Sequence, residues 1–171
     1  IVCVGANDAS AAGRPAHVPL DEYVENLDAM ISLLQVWLPL AKILLMGPPA
    51  VDTEALLAYP WFHADGRVLE RTASYARALV DLADKRDIAA FDLQAEMTSY
   101  ADWKGLLRDG LHLSNEGNFV AFEGIKRTLS TRMADILPKM LPTHLPADPA
   151  WFDHALNQTS CEWPGNGEWF C

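Results

Sequence analysis

One short segment combines residue types and a spacing that suit acid–base chemistry. Asp109 and His112 stand three residues apart around Gly110, a residue that favours a tight turn. Across such a turn the carboxylate accepts the Nδ1–H of the imidazole, which leaves Nε2 to act as a general base. The same spacing is also typical of a purely structural turn, in which Asp109 caps backbone N–H groups and His112 makes one hydrogen bond near Ser114.

A second segment, Gly5-Ala6-Asn7-Asp8, directly follows an apolar run over residues 1–4. Gly5 permits an unusual backbone angle, and the side-chain NH₂ group of Asn7 is able to stabilise a developing oxyanion. Asp8 is expected to support Asn7 by capping the loop. The alternative is an ordinary turn, in which Asn7 and Asp8 bond to their own backbone.

Predicted strands and helices alternate around these two segments. Apolar runs predict strands over residues 1–4, 42–46 and 88–93, and helical periodicity predicts helices over residues 19–39, 66–86 and 114–138. This alternation is typical of a three-layer α/β fold with a parallel sheet between helices. Ligands bind at the carboxyl ends of the strands in such sheets, so both segments are expected at one edge.

Two of these elements carry more specific expectations. The continuous apolar run at residues 1–4 predicts a strand that is covered on both faces. Ser114 is expected to cap the last helix. The apolar stripe of that helix is expected to face the core, and it comprises Phe119, Phe122, Ile125, Leu129, Met133 and Ile136.

Composition excludes several classes of partner. The 171 residues include 13 Lys+Arg and 23 Asp+Glu, for a net charge of −10, which argues against nucleic acid and against anionic membranes. No apolar stretch reaches the roughly 20 residues that a membrane span needs. Three cysteines are too few for a disulfide framework or a zinc site. The cellular compartment is left open, with the cytoplasm slightly favoured. Whether Cys161 and Cys171 form a disulfide is also left open.

The composition changes after residue 141. Residues 1–141 are predicted to form one domain, and residues 142–171 a C-terminal extension rich in proline and tryptophan. Two interpretations of the extension are open. It lays its aromatic side chains on the domain surface, or it presents tryptophan anchors to a partner.

Taken together, the two segments resemble the GDSL or SGNH family of serine esterases and lipases, over roughly residues 1–140. The resemblance makes Asn7 an oxyanion-hole donor, Asp109 the catalytic acid and His112 the catalytic base. The segment that starts at Asp109 continues through Leu113-Ser114 to Gly117-Asn118. Together with the stretch 18–23 and the Pro48-Pro49 turn, it resembles the isoamyl-acetate-hydrolysing esterase branch. The fold implied is the flavodoxin-like parallel sheet of SGNH hydrolases. The implied function is hydrolysis of short-chain esters without a metal or an organic cofactor.

The chain departs from the family at the nucleophile. The family's Gly-Asp-Ser motif precedes the segment at Gly5, and no serine here follows Gly-Asp or lies in a Gly-x-Ser-x-Gly motif. We therefore expect the chain to lack its N-terminal strand or strands and its nucleophile, and to be inactive alone. Loss of such a strand also predicts marginal stability or self-association.

Two other functions compete with this interpretation. One is a non-catalytic truncated product or pseudoenzyme that survives as a binding or inert domain. The other is a metal-dependent phosphoesterase, in which Asn7, Asp8, Asp109 and His112 would be oxygen and nitrogen ligands at the strand ends. The second lacks the density of carboxylates that a two-metal site needs.

Overall fold

The computed structural model describes residues 1–58 and 66–134, which belong to one compact unit. Its sheet has three parallel strands in the order β1-β2-β3, with β1 at Val2–Cys3, β2 at Leu44–Met46 and β3 at Ala89–Phe91. Leu45 lies opposite Val2 on one side and opposite Ala90 on the other. All strands therefore end at the same edge of the sheet.

Five α-helices and one 3₁₀ turn connect and cover these strands in the described part of the chain. They are α1 (Leu20–Trp37), α2 (Thr53–Leu56), α3 (Leu69–Lys85), α4 (Leu93–Thr98), the 3₁₀ turn Trp103–Leu106 and α5 (Asn115–Arg132). None of the helices in the described ranges has the length and apolar character needed to cross a bilayer.

The described core has two main clusters, one on each face of the sheet, and a small third cluster of Val51, Leu56 and Leu111. Leu45 packs with the buried faces of α1 and α3, which contribute residues such as Leu27 and Leu79. Met46 and Phe91 pack with α4, the 3₁₀ turn and α5 on the other face. Because neighbouring side chains of a strand point to opposite faces, this division makes a three-layer α/β/α arrangement. The predicted fold class is thereby confirmed.

The structure corrects the sequence-based expectations at two strands. β1 is the outer strand among the described residues, so Ile1 is 68% exposed and Cys3 is exposed, rather than both being covered. The third strand ends at Phe91 instead of residue 93, because the Asp92 carboxylate accepts a hydrogen bond from the Ala95 N–H and starts α4. Self-association through the outer edge of β1 stays a prediction.

The expected buried stripe of the last helix is only partly correct: Met133 is buried and Ile125 packs against the core, but both phenylalanines are exposed. Ile136 lies outside the described residues. Ser114 does cap α5, since its Oγ accepts the N–H of Gly117 at 3.1 Å. However, Phe119 and Phe122 are 63% and 45% exposed. The helix instead turns its small residues inward, and a Cβ at Gly124 would lie 2.0 Å from the Phe91 ring. Hydropathy cannot reveal this close approach, because glycine contributes no apolar side chain.

The same close packing predicts that Gly117→Ala destabilises the fold. A Cβ at Gly117 would lie 2.1 Å from the carbonyl oxygen of Leu106, a backbone atom that cannot rotate away. Despite alanine's higher helix propensity, we expect a loss of about 1–3 kcal/mol in the free energy of unfolding. Chemical denaturation followed by circular dichroism measures it, with Ser130→Ala on the exposed face of α5 as the control. An unchanged or higher stability for Gly117→Ala would contradict the packing.

Candidate active site

Asp109 and His112 form a hydrogen-bonded pair on a tight turn just before α5. Asp109 Oδ2 lies 2.7 Å from His112 Nδ1, and Asp109 Oδ1 accepts the backbone N–H groups of His112 at 2.8 Å and Leu111 at 3.0 Å. The Arg108 N–H donates to the carbonyl oxygen of His112 and closes the turn. The pair thus holds the imidazole in the tautomer whose Nε2 is the basic nitrogen.

The surroundings of Asp109 favour its ionised form. Partial burial by itself raises the pKa of this carboxyl, but hydrogen bonds from the His112 backbone, the His112 ring and the Leu111 backbone outweigh it. The net effect is a pKa below the usual aspartate range. The side chain of Asp109 is 12% exposed and that of His112 is 54% exposed, so the acceptor is shielded while the imidazole reaches solvent.

The segment at Gly5 forms a compact turn immediately after β1. Gly5 has a φ of +111°, and its N–H donates to Asp8 Oδ2 at 3.1 Å. A Cβ at Gly5 would lie 2.9 Å from the hydroxyl oxygen of Tyr23, which itself donates to the carbonyl oxygen of Val4. Burial, aided by the charge of Asp8, raises the pKa of Tyr23 well above its usual value, so the hydroxyl stays a neutral donor. This turn requires glycine for both its backbone angle and its space.

Arg67 holds Asn7, a contact that the sequence analysis missed. Its Nη2 donates to Asn7 Oδ1 at 2.8 Å, its Nε donates to the carbonyl oxygen of Ala6 at 2.9 Å, and the residue is 4% exposed. Helical periodicity placed Arg67 inside a helix, but α3 begins only at Leu69. The sequence signal for a turn at this point is Gly66, since glycine favours turns. In the structure Gly66 has a φ of +58°.

The segment that follows β2 contacts both turns. Pro48 lies 3.3 Å from the Cβ position of Gly5, and the Asp52 N–H donates to the carbonyl oxygen of Gly110 at 2.9 Å. Gly110 has a φ of +88°, and a Cβ there would lie 2.6 Å from the carbonyl oxygen of Asp52. The structure therefore joins Asp109 to His112 directly. Asn7, in the turn after β1, is linked to this pair indirectly, through the segment after β2 that contacts both turns.

Serine hydroxyls in the described residues are engaged by the backbone. The Oγ of Ser10, which is fully buried, donates to the carbonyl oxygen of Asn7 at 2.7 Å, and that of Ser114 donates to the carbonyl oxygen of Gly105 at 3.0 Å. The remaining described serines bond to a carbonyl oxygen three or four residues earlier, and these are Ser32, Ser74, Ser99 and Ser130. Ser160 lies outside the described residues. Each described serine hydroxyl is therefore hydrogen-bonded to the backbone.

Other candidates from the sequence do not add to this site. The described ranges contain no group of three or more His, Cys, Asp or Glu side chains arranged to hold a metal ion. The extension at 142–171, with Cys161 and Cys171, lies outside the described residues, and its predicted domain boundary stays a prediction.

Fold and site together define a class, namely a parallel α/β protein with an Asp–His pair and an Asn turn at one edge of its sheet. Residues 1–119 match the sequence profile of the GDSL-like lipase/acylhydrolase family. The chain belongs to this family.

Relatives and solved structures agree with the family assignment. A GDSL esterase/lipase of Arabidopsis thaliana is 39% identical, over 75% of this chain and 56% of its own length. The isoamyl acetate-hydrolyzing esterase of Saccharomyces cerevisiae is 30% identical, over 81% of this chain and 59% of its own. A lipase/acylhydrolase structure from Enterococcus faecalis superposes with a TM-score of 0.62 at 26% identity, covering 76% of this chain and 60% of that one. The chain thus spans less than two thirds of these proteins.

The hydrogen bonds to Asp109 predict a specific pH dependence of stability. Because its pKa is lower in the folded state, the carboxylate contributes stability that is complete above the unfolded-state pKa and is lost as the pH falls through the folded-state pKa. We expect Asp109→Asn to lower the free energy of unfolding at neutral pH by about 1 kcal/mol and to flatten its decline in acid.

Urea unfolding from neutral to strongly acidic pH measures this effect. Asp102→Asn, which removes an exposed carboxylate from the neighbouring 3₁₀ turn, controls for the loss of charge. Identical acid limbs for wild type and Asp109→Asn would show that the hydrogen bonds do not stabilise the ionised carboxylate.

Proposed function

We propose that this chain supplies the acid–base pair and the oxyanion donor of a serine ester hydrolase. The observation that carries the proposal is the 2.7 Å hydrogen bond between Asp109 and His112, next to the strand edge that holds Asn7. The nucleophile would come from a Gly-Asp-Ser segment of the longer protein. Since the described serines bond to the backbone and no serine of the sequence follows Gly-Asp, the 171 residues alone are expected to turn over no ester.

The proposed reaction proceeds through an acyl-enzyme. His112 Nε2 takes the proton of the serine hydroxyl while the serine oxygen bonds to the ester carbon, and the carbonyl oxygen becomes an oxyanion. The intermediate then expels the alcohol, whose oxygen receives the proton from His112. Water next attacks the acyl-enzyme with the same base, and release of the acid restores the serine hydroxyl. Throughout, the Asp109 carboxylate stabilises the imidazolium.

Asn7 has the complementary role of holding the oxyanion. The amide oxygen of Asn7 accepts a hydrogen bond from the Arg67 guanidinium. The NH₂ group is therefore the end of the amide that would donate a hydrogen bond to a negatively charged oxygen. Donors of this kind act mainly on the transition state, because the charge that they stabilise develops only there.

The proposed substrates are short-chain esters, with acetate esters such as isoamyl acetate as the first candidates. The support is the resemblance to the yeast isoamyl acetate-hydrolyzing esterase and to its bovine homologue, which is 34% identical over 81% of this chain. A metal-dependent phosphoesterase is the less favoured function. Full activity in a strong chelator, with inhibition by a serine-directed fluorophosphonate, would separate the two.

Substitution of Asn7 and His112 tests the assignment in the longer protein that carries this chain. Asn7→Ala is expected to lower kcat for acetate esters by about 10²- to 10³-fold, since it removes one oxyanion donor. His112→Ala is expected to lower kcat at least as much, because the serine loses its base. Steady-state hydrolysis of a series of esters with increasing acyl length measures both effects and the preferred acyl chain.

Gln35→Ala is the matched control for the amide substitution. Gln35 is exposed on α1 and accepts a hydrogen bond from Arg86, far from both turns in sequence. Its kcat should equal that of the wild type. A near-normal kcat for Asn7→Ala would overturn the role of Asn7, and a near-normal kcat for His112→Ala would overturn the mechanism.

A further inference from the structure

Arg67 is a buried cation, and two of its hydrogen bonds converge on one turn. Its Nη2 donates to the side-chain oxygen of Asn7 and its Nε to the carbonyl oxygen of Ala6, although 60 or more residues separate them along the chain. Burial of a guanidinium at 4% exposure is costly unless its N–H groups are hydrogen-bonded. These two hydrogen bonds therefore help to offset the cost of burying the Arg67 guanidinium.

The chemistry of arginine determines which end of the Asn7 amide it binds. A guanidinium has only N–H donors and no acceptor, so its partner at 2.8 Å must be the amide oxygen. An amide without this contact is able to rotate about χ2 and present its oxygen where the NH₂ group should be. The oxygen would then repel an oxyanion instead of stabilising it.

The second bond fixes the backbone of the same residue. The peptide between Ala6 and Asn7 is trans and planar, so its C=O and N–H groups point in opposite directions. With the Ala6 carbonyl directed at Arg67, the Asn7 N–H is directed away from it. One side chain thus sets both the main-chain and the side-chain orientation of Asn7.

We propose that Arg67 is the positioning residue that keeps the NH₂ group of Asn7 in the donor orientation. The inference rests on the proposed function, in which Asn7 binds the oxyanion. A cationic donor on the amide oxygen also polarises the amide, which strengthens its N–H groups as donors. Because the oxyanion exists only after attack, loss of Arg67 should lower kcat and leave KM largely unchanged.

A double-mutant cycle in the longer active protein tests this role. Arg67→Met, which keeps the length of the chain but removes the donors, is expected to lower kcat by roughly 10- to 100-fold with KM within about twofold. In the Asn7→Ala background the same substitution should lower kcat by less than about threefold, because Arg67 acts through Asn7. Arg67→Lys should recover part of the loss, since a lysine offers a point charge without the planar fork.

Arg71→Met is the matched control. Arg71 lies one helical turn further on in α3, and its guanidinium donates to the carbonyl oxygen of Gly66 at 2.6 Å. Its kcat is expected to stay within about twofold of the wild type. Losses that add independently in the Arg67→Met, Asn7→Ala double variant, or an effect on KM alone, would overturn the positioning role.

A second measurement covers the case in which Arg67→Met fails to fold. In the ¹⁵N,¹³C-labelled wild-type protein we expect a scalar coupling through the hydrogen bond between an Arg67 guanidinium nitrogen and the Asn7 side-chain carbonyl carbon. Absence of this coupling would overturn the contact itself. An inactive wild type with the coupling present would instead overturn the proposed function, and an active wild type with an additive cycle would overturn the positioning role alone.

Discussion

The site depends on how closely the backbone approaches itself at the carboxyl edge of the sheet. The segment after β2 lies against both turns, through Pro48 at Gly5 and through the Asp52–Gly110 hydrogen bond. Both turns need a glycine with positive φ, because a Cβ at Gly5 would lie 2.9 Å from the Tyr23 hydroxyl oxygen and a Cβ at Gly110 would lie 2.6 Å from the Asp52 carbonyl oxygen. The Gly5 turn follows β1 directly, and the segment after β2 bonds to the Gly110 turn, so that both turns lie against this segment.

Hydrogen bonding then converts proximity into defined orientation. Asp109 uses one carboxylate oxygen for two backbone N–H groups and the other for the imidazole, so the turn and the ring are fixed together. Arg67 does the same for Asn7 through one backbone and one side-chain oxygen. In each case a charged group is shielded and bonded on several sides, which suits a preorganised site. The family to which the chain belongs gives this arrangement its proposed use in ester hydrolysis.

Local signals made part of this structure predictable from the sequence. The Asp109–His112 pair follows from its spacing around Gly110, and the start of α5 follows from the Ser114 cap. The contact of Arg67 with Asn7 could not be predicted, because it joins segments 60 residues apart and no local pattern encodes it. The glycine part of the buried face of α5 was also missed, since packing through glycine leaves no trace in an apolar stripe.

The central claim is that His112 activates a serine held outside these 171 residues. Mass-spectrometric mapping of the fluorophosphonate adduct, in the longer protein and in its His112→Ala variant, tests it most directly. The account predicts one adduct on a serine of a Gly-Asp-Ser motif outside this chain, and its disappearance in the variant. An adduct on a serine of this chain, such as Ser10 or Ser114, or labelling that survives the loss of His112, would contradict it.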